Sequence, residues 1–145
     1  MSEKLILVDL DINVEGDNVT AALKKYTAKV VEGMQIIWSI NIIWATESSM
    51  PTGEVTVEIP GFKPTTPETP DKLFEDYIPI AIPMEQTIPG RPELSAVFAS
   101  PIVHPSGPTP TPPFLWEWEY VIKIHIDGIE GLSHFKIDPL VVISG

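Results

Sequence analysis

Apolar and polar residues alternate over most of this chain, and the period is two. From Trp116 to Asp127 the alternation has no break. Trp116, Trp118, Tyr120, Ile122, Ile124 and Ile126 share one parity, and Glu117, Glu119, Val121, Lys123, His125 and Asp127 share the other. Met34, Ile36, Trp38, Ile40, Ile42 and Trp44 form a second such row, interleaved with Gln35, Ile37, Ser39, Asn41 and Ile43. Side chains on an extended strand point alternately to opposite faces, so each run predicts a strand with one buried face.

The same pattern predicts strands at Ile6–Val14, at Tyr26–Val30, at Val55–Ile59 and over Glu93–Ala99, where Leu94, Ala96 and Phe98 share a side. "VTAALKKY" fits one helical turn or an extended segment. Phe135 to Ile143 offers a last strand interrupted by Pro139. Turns are expected at "EGDN", at Glu32-Gly33 and at "DGIEG". "PGFKPTTPETPD" cannot be a central strand, because each proline lacks the ladder donor. The proline-punctuated "KLFEDYIPIAIPMEQTIPGRP" reads as edge or loop, and "PIVHPSGPTPTPP" as a stiff loop in polyproline II conformation. Seven to nine strands with almost no helical periodicity predict an all-β fold, an antiparallel β-sandwich or barrel.

Length adds that residues 1–145 form one domain. Folding at that size buries roughly 70% of the unfolded chain's surface, enough for one core without staples. There are 16 prolines and 9 glycines, and the prolines fall between apolar runs. No cysteine is present, which excludes disulfides and thiolate chemistry. The N-terminus lacks the pattern of a signal peptide, and no apolar run approaches the ~20 residues of a membrane span. A cytoplasmic protein that is not integral to a membrane is expected. The net charge of -11 opposes nucleic-acid binding and permits a basic partner, with simple solubility the plainer reading.

Candidate chemistry is sparse. His104, His125 and His134 are scattered without metal-ligand spacing, so no metal site is expected. Glu117 and Glu119 share a face with Lys123 and His125, which reads as a solvated row and not as an acid–base pair. Neither a nucleophile elbow nor a phosphate-binding glycine loop occurs. No catalytic residue and no cofactor is expected, and the chain reads as a non-enzyme. The unusual feature is the density of large aromatics on the inward parities: Trp38, Trp44, Trp116, Trp118 and Tyr120. They fill a solid core, or they hold two sheets apart around an apolar cavity; periodicity leaves both open.

Three collinear stretches resemble the immunoglobulin-like domain of Rho GDP-dissociation inhibitors. In "LKKYTAKVVEGMQIIWSINI", Lys24, Lys25, Glu32 and Gly33 match the family's spacing ahead of a long alternating strand. In "EDYIPIAIPMEQTIPG", Glu75, Tyr77, Pro83, Glu85, Pro89 and Gly90 match, with one extra residue in the gap. In "LWEWEYVIKI", Trp116, Glu117, Trp118, Ile122 and Lys123 match the family's terminal strand. The resemblance covers about a third of the chain.

It implies an immunoglobulin-like sandwich that is non-catalytic and holds the prenyl tail of a lipid-modified small GTPase-like partner between its sheets. Trp118 matches a residue that lines the family's lipid pocket, and Ile42 falls where the family has a pocket phenylalanine. The pocket candidates are therefore Trp38, Ile40, Ile42, Trp116, Trp118 and Tyr120. Burying lipid contributes ~0.8 kcal/mol per CH₂, which makes such a pocket physically sound. The chain departs from the family at both ends. The N-terminal arm by which the family grips the GTPase is not expected here, and the chain continues past the Trp-Glu-Trp strand into a segment expected to cap the sandwich or pair with an edge. A structural or assembly subunit with a solid core is the alternative.

Overall fold

The computed structural model describes residues 5–16, 18–24, 26–105, 115–126, 135–137 and 139–144. Residues 106–113 of the proposed polyproline loop over 101–113, the "DGIEG" turn, Lys25 and His134 lie outside them. The described residues are all-β, in three four-stranded sheets whose pairings are mostly antiparallel.

The first sheet has the order β2-β1-β4-β8 and comprises β1 (Leu5–Glu15), β2 (Asn18–Lys24), β4 (Gln35–Trp44) and β8 (Glu93–Ala99). "VTAALK" is extended, because β2 folds back on β1 as a hairpin with Glu15 opposite Asn18. Gly16 sits at this turn with φ +60°, a left-handed conformation that costs glycine little. The longest ladder departs from the antiparallel expectation. β1 and β4 run parallel in a register from Leu5 opposite Gln35 to Val14 opposite Trp44. The reason is that the chain leaves the first sheet after β2 and pairs elsewhere through β3 (Thr27–Lys29), so that β4 returns beside β1 in the same direction.

The second sheet has the order β11-β10-β5-β7, with β5 (Val55–Ile59), β7 (Ile80–Pro83), β10 (Ile122–Ile126) and β11 (Phe135–Ile137). The third has the order β3-β12-β9-β6, with β6 (Phe62–Pro64), β9 (Leu115–Tyr120) and β12 (Leu140–Ser144). These two sheets are built from shared runs of chain: β5 leads into β6, β9 into β10, and β11 into β12. Among the described residues twelve strands therefore come from nine runs, which is how the expectation of seven to nine strands and the observed count are related.

The long alternating run does not form one strand. It breaks at Val121, with β9 in the third sheet and β10 in the second. Its partner run explains the break. Lys123 stands opposite Glu58 and Tyr120 opposite Phe62, so Ile59, Pro60 and Gly61 face only Val121 and Ile122. One extra residue with a proline that has no N–H disrupts the ladder as a β-bulge does. Side-chain parity survives: Trp116, Trp118, Tyr120, Ile122, Ile124 and Ile126 are all buried.

Proline-rich segments take edge positions. β6 and β7 end their sheets, and both contain proline. The C-terminal segment does more than cap or flank. β12 lies between β9 and β3, and so it is an inner strand of its sheet. One hydrophobic cluster joins all three sheets, from Val8, Leu10 and Ile12 through the even positions of β4 to Val55, Val57, Ile124, Val141 and Ile143.

Candidate functional site

The six pocket candidates lie on two strands. Trp38, Ile40 and Ile42 project from β4, and Trp116, Trp118 and Tyr120 from β9; all belong to the one core cluster. Five of them are at most 2% exposed, and Trp116 is 8% exposed. Other aromatic rings pack against them. The Trp38 ring stacks on Phe98 at 5.5 Å and 28°, meets Tyr120 edge-on at 5.9 Å, and lies 6.3 Å from Phe62. Phe62 and Tyr120 are 4.8 Å apart, and Trp116 meets Trp118 edge-on at 6.4 Å.

The polar atoms of these aromatics are paired. Trp38 Nε1 donates to the Tyr120 hydroxyl at 3.1 Å, and Trp118 Nε1 donates to the Pro70 carbonyl at 2.9 Å. Among the described residues no buried side-chain nitrogen or oxygen lacks a partner. Burial drives the Tyr120 phenol well above its ordinary range, with the Trp38 bond pulling the other way.

The aromatic array continues outward. Phe62 meets Phe74 at 5.1 Å and Tyr77 at 5.2 Å and 89°, and Phe74 stacks on Tyr77 at 5.6 Å. Tyr77 donates its hydroxyl to the Ile59 carbonyl at 2.6 Å. Burial pushes its phenol up to about 12, against a smaller pull from the Ile80 backbone. The segment that carries Phe74 is fastened to the core. Thr65 N–H donates to the Glu117 carbonyl, Glu117 N–H donates to Thr69 Oγ1, and His104 N–H donates to the Leu73 carbonyl.

This outer end of the array borders two clefts that meet at Gly61. One, of about 340 Å³, is lined by Gly61, Phe62, Leu73, Phe74 and Tyr77 with Asp71, Lys72, Glu75 and Asp76. The other, of about 310 Å³, is lined by Gly61, Lys63, Glu119, Tyr120 and Val121. The bulge that breaks the alternating run therefore also shapes the surface. The sequence pattern places Phe62 in a segment that cannot be a central strand and Phe74 in an edge or loop, and singles out neither ring. The signal that marks them is an aromatic inside a proline-rich segment, where solvation alone calls for none.

Of the remaining candidates, Glu119 lines the second cleft and the others belong to neither cleft. Glu117 accepts a hydrogen bond from the Thr65 hydroxyl at 2.7 Å, which makes it a fastener of the 65–77 segment. Glu119 stands opposite Lys63, and Lys123 opposite Glu58. His104 Nδ1 lies 2.9 Å from Glu32 Oε1, and His125 stands opposite Thr56 on a different strand pair. Among the described residues no three His, Asp or Glu side chains group as metal ligands. No helix of the described residues is long and apolar enough to cross a membrane. Compared with protein-family models, curated proteins and solved structures, the chain has no match in any of the three.

Proposed function

We propose that the chain is a non-catalytic, immunoglobulin-like β-sandwich subunit with a solid core, acting through its surface in contact with other proteins. The observation that carries this reading is the burial of Trp38, Ile40, Ile42, Trp118 and Tyr120, each at most 2% exposed and packed against its neighbours. Interiors packed in this way leave no space for a ligand without displacing side chains. The net charge of -11 and the proline-stiffened connections accord with a surface role. Light scattering and titration with a fluorescent isoprenoid test it together. A stable oligomer without saturable isoprenoid binding is expected. A monomer that binds the isoprenoid saturably, with binding lost in Trp118→Ala, overturns it.

A second reading follows the resemblance to Rho GDP-dissociation inhibitors: a cytoplasmic carrier for the prenyl tail of a lipid-modified small GTPase-like protein. One observation favours it. The aromatic run Trp38, Tyr120, Phe62, Tyr77 leads from the core to the open cleft at Gly61. On this reading the tail enters beside Phe62 and parts the sheets along Trp38, Ile40 and Ile42. The same titration decides between the two readings.

A further inference from the structure

We infer that the cleft at Gly61 takes a basic side chain of a partner protein, with arginine the best fit. The inference rests on the chain being a protein-contacting subunit and names the chemistry of one contact. Two independent features of the cleft meet in this occupant. Its apolar lining is aromatic: Phe62 and Tyr77 border the cleft and are set at 89° to one another, with Phe74 behind them. Its polar lining is acidic: Asp71, Glu75 and Asp76 against the single cation Lys72. All three carboxylates are exposed, and among the described residues none of them is held in an ion pair.

A cation over an aromatic face is attracted by the ring's negative quadrupole, and a guanidinium also stacks flat while its N–H fork reaches carboxylates. An alkyl chain gains from the rings but must strip water from the carboxylates beside them, which opposes it. An anion is repelled by both features. The long-range field points the same way, because a chain of net charge -11 draws basic partners toward it. The volume of about 340 Å³ suits one side chain and lies at the small end for ligand sites.

The frame of the cleft is held independently of its acidic rim. Trp118 Nε1 and the Glu117 backbone fasten the segment before Leu73, while Tyr77 is fastened to the Ile59 carbonyl. Rim charges can therefore be removed without disturbing that frame.

The test is a pair of titrations followed by amide chemical shifts. The probes are acetyl-Gly-Arg-Gly-amide and the peptide with neutral, nearly isosteric citrulline in place of arginine. The arginine peptide is expected to shift Gly61, Phe62 and Leu73–Tyr77, and to bind roughly fivefold or more tightly than the citrulline peptide. Glu75→Gln with Asp76→Asn, checked for unchanged thermal unfolding, is expected to remove most of that preference. Phe62→Leu is expected to weaken both peptides, because it removes a ring and keeps the charges. Equal binding of the two peptides, shifts outside the cleft, or no shift at millimolar peptide overturns the proposal. None of these outcomes bears on oligomeric state or isoprenoid binding, so the subunit reading stands or falls separately.

Discussion

Trp38 donates its indole N–H to the hydroxyl of Tyr120 across 3.1 Å, with both residues at most 2% exposed. This bond crosses from the first sheet to the third. Removing the acceptor by Tyr120→Phe leaves a buried donor unpaired, at a cost of about 1–3 kcal/mol. Removing both groups in Trp38→Phe/Tyr120→Phe takes away donor and acceptor together, so the double variant is expected to lose less than the sum of the singles. Urea unfolding of the four proteins measures this coupling, and strict additivity would show that the bond contributes nothing.

Trp118 fastens the proline-rich segment to the third sheet through the Pro70 carbonyl. Trp118→Phe keeps most of the buried area and removes the bond, so a loss of about 1 kcal/mol is expected, with faster amide exchange at residues 65–77. Trp118→Ala adds a cavity and is expected to cost about 3–5 kcal/mol. If exchange quickens throughout the protein in Trp118→Phe to the same degree as at 65–77, the local fastening is refuted.

Tyr77 sets an alkaline limit. Its phenol ordinarily loses its proton near 10, and burial in the folded protein moves this up to about 12. Between these values the unfolded chain has released the proton while the folded chain keeps it. Stability from this group is complete below about 10 and is lost as pH rises toward 12. Denaturation midpoints should fall across that window, and Tyr77→Phe should fall less steeply. An unchanged slope in Tyr77→Phe would exclude the group as a source.

Two glycines separate backbone strain from crowding. Neither Gly33 nor Gly61 has an atom within 4 Å of where a Cβ would stand. Gly33, however, adopts φ +94°, whereas Gly61 is outside the left-handed region. Gly33→Ala is expected to cost about 1–2 kcal/mol, and Gly61→Ala to stay within about 0.5 kcal/mol. Thermal unfolding of the two variants compares them directly, and equal losses would remove the distinction.

The buried faces were legible because a period of two is a local property. Every even position from Ile36 to Trp44 and from Trp116 to Ile126 is buried, as alternation requires. Which strand pairs with which was not legible. The parallel β1–β4 ladder depends on β3 pairing outside the first sheet, with β12, more than a hundred residues away in sequence. The break at Val121 was hidden for a similar reason. Nothing in Trp116–Ile126 marks it, since its cause lies in Pro60 and Gly61 on the partner run. The candidate cleft was harder still to see. Phe62 is separated from Phe74 and Tyr77 by three prolines, the three carry no periodicity, and only packing brings their rings within 5.1–5.6 Å.

The inner position of β12 sets an order of events during synthesis. Leu140–Val142 pair with β3 and Leu140–Ser144 with β9, so both strands present an unpaired edge until residues 140–144 have left the ribosome. The nascent chain must therefore hold the β3 edge and a half-covered apolar face while more than a hundred residues beyond β3 are made, with the β9 edge added only shortly before β12. A chain with this topology depends on slow, late closure, and its yield in a cell should respond to chaperone supply more than its final stability would suggest.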